Sequence, residues 1–233
     1  YSTSLAKYCV ETLCKTQGEK DQIFIAGAVN GSIEILEYAL EEGYDLLPII
    51  NCSGFKDLEY VHEKSGIARI ALKGHLHVLK YLYEKVNFRM GMQLASYEAI
   101  NYGHLDIVEW LNSIGCLEER DTGDFCYGAS RFEQVDILKW LIERDYNTGQ
   151  IDENILKIQD TELLEYCLSK GVVFEEEAIN TIAYSDNICF AEDCEEIGLK
   201  MTSDAYLNAI ESGSLEMVKY LHRSGIPWSS EFT

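Results

Sequence analysis

Basic residues are scarce: 19 lysines and arginines stand against 40 aspartates and glutamates, a formal charge of −21 over 233 residues. A field of that sign repels phosphate backbones and anionic lipid surfaces. It argues against nucleic acid or a membrane as partner and favours another protein, one with a basic surface. Long apolar runs are missing too. No stretch approaches the roughly 20 residues of a membrane helix, and no basic segment followed by an apolar run marks a secretory leader. The 8 cysteines include no Cys-x-x-Cys pair, so zinc has no support. No Gly-x-Ser-x-Gly elbow, phosphate loop or dinucleotide fingerprint occurs. The chain therefore reads as a non-enzyme with no cofactor and no metal, in a reducing, cytoplasmic setting.

What the chain does have is a repeat. Residues 74–82, GHLHVLKYL, nearly superimpose on residues 103–111, GHLDIVEWL. The aromatic near the end of this segment recurs in both directions, through Tyr8, Tyr38, Tyr60, Tyr81, Trp110, Trp140, Tyr166 and Tyr220, with Asp193 in the same slot of a weaker copy. A first helix in each copy closes at a glycine such as Gly31, Gly74, Gly103 or Gly213, because glycine accepts the left-handed conformation that ends a helix. A second helix follows with helical apolar spacing, as in Leu105, Ile107, Val108 and Leu111. It ends shortly after the aromatic, often at another glycine: Gly43, Gly115, Gly171 or Gly225. Such short helices are unstable alone in water. Stacking buries their shared faces in one continuous core. The expectation is an all-α, right-handed-stacked helix-pair solenoid of about eight degenerate repeats spanning residues 1–233, part of a longer chain.

GHLDIVEWL followed by Gly115 resembles the second helix of an ankyrin repeat. Ile70-Ala71 and Ala99-Ile100 stand where that family has its small-residue pair. The resemblance runs through the whole chain and is strongest around Gly74, Gly103 and Gly213. The family's Thr-Pro-Leu-His opening is missing from every copy, only two prolines occur (Pro48 and Pro227), and the anchors lie 21 to 30 residues apart, short of the usual 33. Shortened or missing β-hairpin fingers and tight loops are therefore expected. The closing Gly225-Ile226-Pro227-Trp228 and the Tyr/Trp slot look most like the ankyrin arrays of giant DNA viruses of amoebae.

Other side chains have plain readings. Cys9, Cys167 and Cys194 follow the anchor slot, where other copies carry leucine, so they are expected in the core. Cys189 falls at a usually acidic slot and is expected nearer the surface. His75 and His104 follow the turn glycine and are expected to bond the turn backbone. The acidic runs Glu175–Glu177 and Glu192–Glu196 read as solvated charge or helix-dipole partners.

The resemblance also implies a binding face. In ankyrin arrays the two residues before the turn glycine face a concave groove. Carried over slot by slot, the candidate partner-binding residues are Asn30, Lys73, Asn101, Tyr102, Arg131, Phe132, Lys157, Tyr184 and Glu211, with Val29, Leu72, Ile158, Ser185 and Ser212 as their pair members. Tyr102, Phe132 and Tyr184, with Arg131 beside them, have the composition of interface hot spots. The function implied is a protein–protein interaction module, with target recognition in host cytoplasm as its expected setting. The alternative is a structural component of a viral particle or larger assembly.

Overall fold

Each repeat starts from a first helix that has to be stopped. The computed structural model, which describes residues 3–50, 65–86, 92–117, 123–149 and 151–229, shows how. Gly31, Gly74, Gly103 and Gly213 all take positive φ, between 74° and 85°. The next backbone N–H reaches back five residues: Ser32 to Gly27 at 3.0 Å, His75 to Ile70 at 3.1 Å, His104 to Ala99 at 2.8 Å and Ser214 to Ala209 at 2.9 Å. This paired closure satisfies the carbonyls that a helix end leaves open. Two copies without glycine place another residue in the same left-handed conformation, Glu133 at φ 57° and Gln159 at φ 56°, and the first repeats the closing bond, Gln134 to Ala129 at 2.8 Å. A left-handed residue with a Cβ costs about 1–2 kcal/mol, so the fold holds this turn even where the sequence disfavours it. Asp186 is the exception: a 3₁₀ turn over Thr181–Tyr184 closes the first helix there instead.

The second helices begin with a side-chain cap in several copies. Ser32, Asp160, Asn187 and Ser214 each accept a backbone N–H three residues on, an arrangement worth about 1 kcal/mol.

The chain divides into two compact units, residues 1–120 and 121–233. The first unit holds α1 (Thr3–Tyr8, continued by a π turn over Cys9–Leu13), α2 (Gln17–Val29), α3 (Ile33–Glu41), α4 (Leu47–Ile50), α5 (Gly66–Leu72), α6 (Leu76–Val86), α7 (Met92–Asn101) and α8 (Leu105–Ser113). The second holds α9 (Asp124–Arg131), α10 (Val135–Ile142), α11 (Asp152–Ile158), α12 (Thr161–Ser169), α13 (Glu176–Asn180), α14 (Ile188–Glu196), α15 (Ala205–Glu211) and α16 (Leu215–Arg223). No strand occurs among the described residues, and no helix among them is long and apolar enough to cross a membrane. The anchor at Tyr60 lies outside the described residues.

Within each unit, like packs on like. In the first unit α5 packs on α2 and α7; in the second, α11 packs on α9 and α13, and α14 on α12 and α16. The slots repeat. Ile35, Val78, Ile107, Ile137, Leu163 and Met217 are buried, as are Leu82, Leu111, Leu141, Cys167, Cys194 and Leu221 directly after the anchor. Cys167 and Cys194 therefore sit where leucine sits elsewhere, as expected, but Cys9 is only half-buried. The anchors are buried at Tyr38, Trp140 and Tyr220 and half-buried at Tyr81, Trp110, Tyr166 and Asp193. Tyr8 departs from this packing role and is exposed.

Neighbouring repeats are also pinned by polar contacts. His104 Nε2 donates to the Leu72 carbonyl at 2.9 Å, and His77 Nε2 donates to the Gly31 carbonyl at 2.9 Å. Each imidazole thus bonds the turn of an earlier repeat rather than its own. In the second unit the same role passes to other chemistry. Asn187 Nδ2 donates to Gln159 Oε1 at 2.8 Å, the Ser214 hydroxyl donates to the Asp186 carboxylate, and Asn208 Nδ2 donates to the Asn180 carbonyl at 2.8 Å.

Candidate functional site

The candidate residues occupy the turn-side ends of the first helices. In the first unit, Asn30 caps α2 and is exposed, its Nδ2 donating to the Ala26 carbonyl at 2.6 Å. Lys73 caps α5 and is exposed. Asn101 closes α7 half-buried, and Tyr102 beyond it is 53% exposed. Val29 is turned into the interior. The first position of each pair is thus not uniformly on the surface.

In the second unit, Arg131 and Phe132 end α9, and Phe132 is 45% exposed. Arg131 Nη1 donates to the Tyr127 hydroxyl at 2.9 Å, with the guanidinium carbon 5.9 Å from the Tyr127 ring centre. Lys157 on α11 pairs with Glu153 one turn earlier at 3.0 Å. Tyr184, 49% exposed, donates to Glu211 Oε2 at 3.2 Å. That bond, with partial desolvation and the neighbouring Glu211 and Glu153 charges, holds the Tyr184 phenol above its usual value. The structure therefore joins Tyr184 to Glu211 across adjacent repeats.

Arg131 and Lys157 also share a groove of about 590 Å³ in the second unit. It runs across α9, α11 and the start of α13. Tyr127, Asp152, Glu153, Asn154, Glu175, Glu177 and Ala178 complete its wall. The Glu175 backbone N–H donates to Asp152 Oδ2 at 3.3 Å, joining α13 to α11. Sequence reasoning missed Tyr127 and the groove carboxylates. A signal existed: Tyr127 is four residues before Arg131, hence on the same helix face.

The arrangement offers contact chemistry: exposed aromatic rings, a guanidinium, an ammonium and several carboxylates. Among the described residues no group of three His, Cys, Asp or Glu side chains could hold a metal ion.

No protein-family model matches the chain. In an alignment 197 residues long that covers 77% of this chain, it is 24% identical to an ankyrin repeat protein of Acanthamoeba polyphaga mimivirus. The match takes up 31% of that protein, so the chain spans about a third of the relative's length.

Proposed function

We propose that this divergent ankyrin-repeat array, resembling those of amoebal giant viruses, binds its partner protein through the turn-side ends of its first helices. One observation carries the reading. Tyr102, Phe132 and Tyr184 stand at corresponding ends of three first helices, each about half exposed. About half of each of these aromatic residues is open to solvent at the end of a first helix. They are the residue type that supplies most binding energy at interfaces. Asn30, Lys73 and Asn101 in the first unit, and Arg131, Lys157 and Glu211 in the second, hold the corresponding slots of their own repeats and add polar and charged contacts there. We extend the reading to a non-enzymatic role in host cytoplasm, with a partner whose contact surface is basic, as the charge of −21 favours.

The test is affinity capture from amoebal lysate read by mass spectrometry. The wild-type chain runs beside a Tyr102→Glu/Phe132→Glu/Tyr184→Glu variant, with circular dichroism confirming that both are folded. The reading expects a specific protein held by the wild type and lost by the folded variant. A partner held equally by both would move the interface away from the first-helix ends and overturn it.

A further inference from the structure

The groove of the second unit carries a charge imbalance that its own contacts do not remove. Four carboxylates (Asp152, Glu153, Glu175 and Glu177) meet two cations, Arg131 and Lys157. Lys157 is already occupied by Glu153 at 3.0 Å, and Arg131 is turned onto Tyr127. Asp152, Glu175 and Glu177 are left facing the groove with no cation paired to them within ion-pair distance among the described residues. Glu175 and Glu177 belong to a run that reads from sequence as solvated charge, and both are exposed where they line the groove.

We propose that this groove takes an arginine-bearing extended segment of the partner protein, a reading that rests on the interaction role above and names the partner's chemistry. Three features select this occupant. The net negative wall repels phosphates and carboxylates. Its ionised lining disfavours an apolar ligand, which would strip water from charges without replacing it. Tyr127, 41% exposed, presents a ring that a guanidinium already approaches in the form of Arg131. A planar cation can stack there while its N–H groups fork onto a carboxylate, which an ammonium cannot do in the same way. The groove crosses three successive first helices. With helix axes about 8–10 Å apart, an extended strand of roughly six residues would cross it at about 3.3 Å per residue.

The test is fluorescence anisotropy with a labelled, alternating Arg-Ser octapeptide at about 0.15 M salt, where long-range attraction is screened. The matching Glu-Ser peptide and spermine serve as comparison ligands. An Asp152→Asn/Glu175→Gln/Glu177→Gln variant should weaken Arg-Ser binding at least about tenfold. A Glu109→Gln/Glu162→Gln/Glu192→Gln variant removes the same charge from exposed second-helix positions and should change it less than about twofold. Lys157→Glu adds negative charge to the wall and should tighten binding several-fold, a gain that misfolding cannot imitate. Equal weakening by the two triple variants would overturn the proposal, as would spermine binding the groove as tightly as the peptide. If the peptide fails while the aromatic variant still loses its partner, the groove assignment falls and the interaction reading stands; if both fail, both fall.

Discussion

Two glycines of the first unit share a backbone conformation but not surroundings, and the difference isolates the contact between repeats. Gly43 ends α3 at φ +77°, and a Cβ there would meet nothing within 4 Å. Gly74 ends α5 at φ +74°, and a Cβ there would stand 2.7 Å from His104 Cε1 and 2.8 Å from Nδ1. Gly43→Ala should cost only the left-handed penalty of about 1–2 kcal/mol, offset by about 0.4–1 kcal/mol from the stiffer unfolded chain. Gly74→Ala carries the same balance and also pushes the imidazole off the Leu72 carbonyl, which it bonds at 2.9 Å. Losing that bond and leaving a partly buried carbonyl open adds about 1–3 kcal/mol. The assay is urea unfolding followed by circular dichroism. An excess of about 2 kcal/mol corresponds to a midpoint lowered by about 1 M. The decisive arm is the cycle with His104→Ala. In that background, Gly74→Ala should cost no more than Gly43→Ala. Equal cost of the two glycine variants with His104 present would refute the proposed locking of one repeat's turn by the next repeat's histidine. So would an excess that survives removal of the ring.

Other consequences concern burial. The slot three residues before the turn holds Ala28, Ala71, Ile100, Ser130, Leu156 and Ala183, all buried, whereas Ile210 in the same slot is 51% exposed. In this 233-residue chain Ile100→Lys should cost more than about 3 kcal/mol and Ile210→Lys less than about 0.5 kcal/mol; thermal unfolding of both decides. Burial, reinforced by the His77, His104 and Lys73 charges, holds the His75 imidazole below its usual value. A histidine kept neutral contributes stability fully above its unfolded value near 6.5 and loses it as pH falls toward the lowered folded value. His75→Gln should therefore flatten the loss of stability between about pH 7 and pH 5.5 relative to wild type, and parallel curves would exclude the effect. Burial pushes the Cys126, Cys167 and Cys194 thiols up to about 12, about 11 and about 12. Iodoacetamide under native conditions should leave all three intact while it alkylates the exposed Cys189; alkylation of Cys167 at the Cys189 rate would refute the core register.

The helix-pair plan is legible in the sequence because GHLHVLKYL and GHLDIVEWL carry its two strongest signals together, a turn glycine and a 3.6-period apolar face. Legibility fades at Glu133 and Gln159, where packing by neighbours holds a left-handed turn that the residue itself disfavours. It fades again at Thr181–Tyr184, where a 3₁₀ turn replaces that device. The histidines read as turn residues, but their partners are not local: His104 reaches a carbonyl 32 residues back, a distance that only the stacking defines. Among the candidate site residues, second-position members such as Lys73, Tyr102 and Phe132 are on the surface, whereas Val29 is inside because a branched apolar chain at a helix end turns toward the core. The groove was not legible, since Tyr127, Asp152 and Glu177 come from three helices and nothing local marks them as neighbours.

Site-specific photo-crosslinking tests the central claim most directly. A photoreactive phenylalanine analogue at position 132, on the turn-side end of α9, is compared with one at position 162, on the exposed first turn of α12. Both chains are irradiated in amoebal lysate and their adducts identified by mass. The account predicts a protein adduct at position 132 that is suppressed by the Tyr184→Glu background, in the same unit, and is absent from position 162. An adduct formed only at position 162, or formed at 132 regardless of that background, would contradict binding through the first-helix ends.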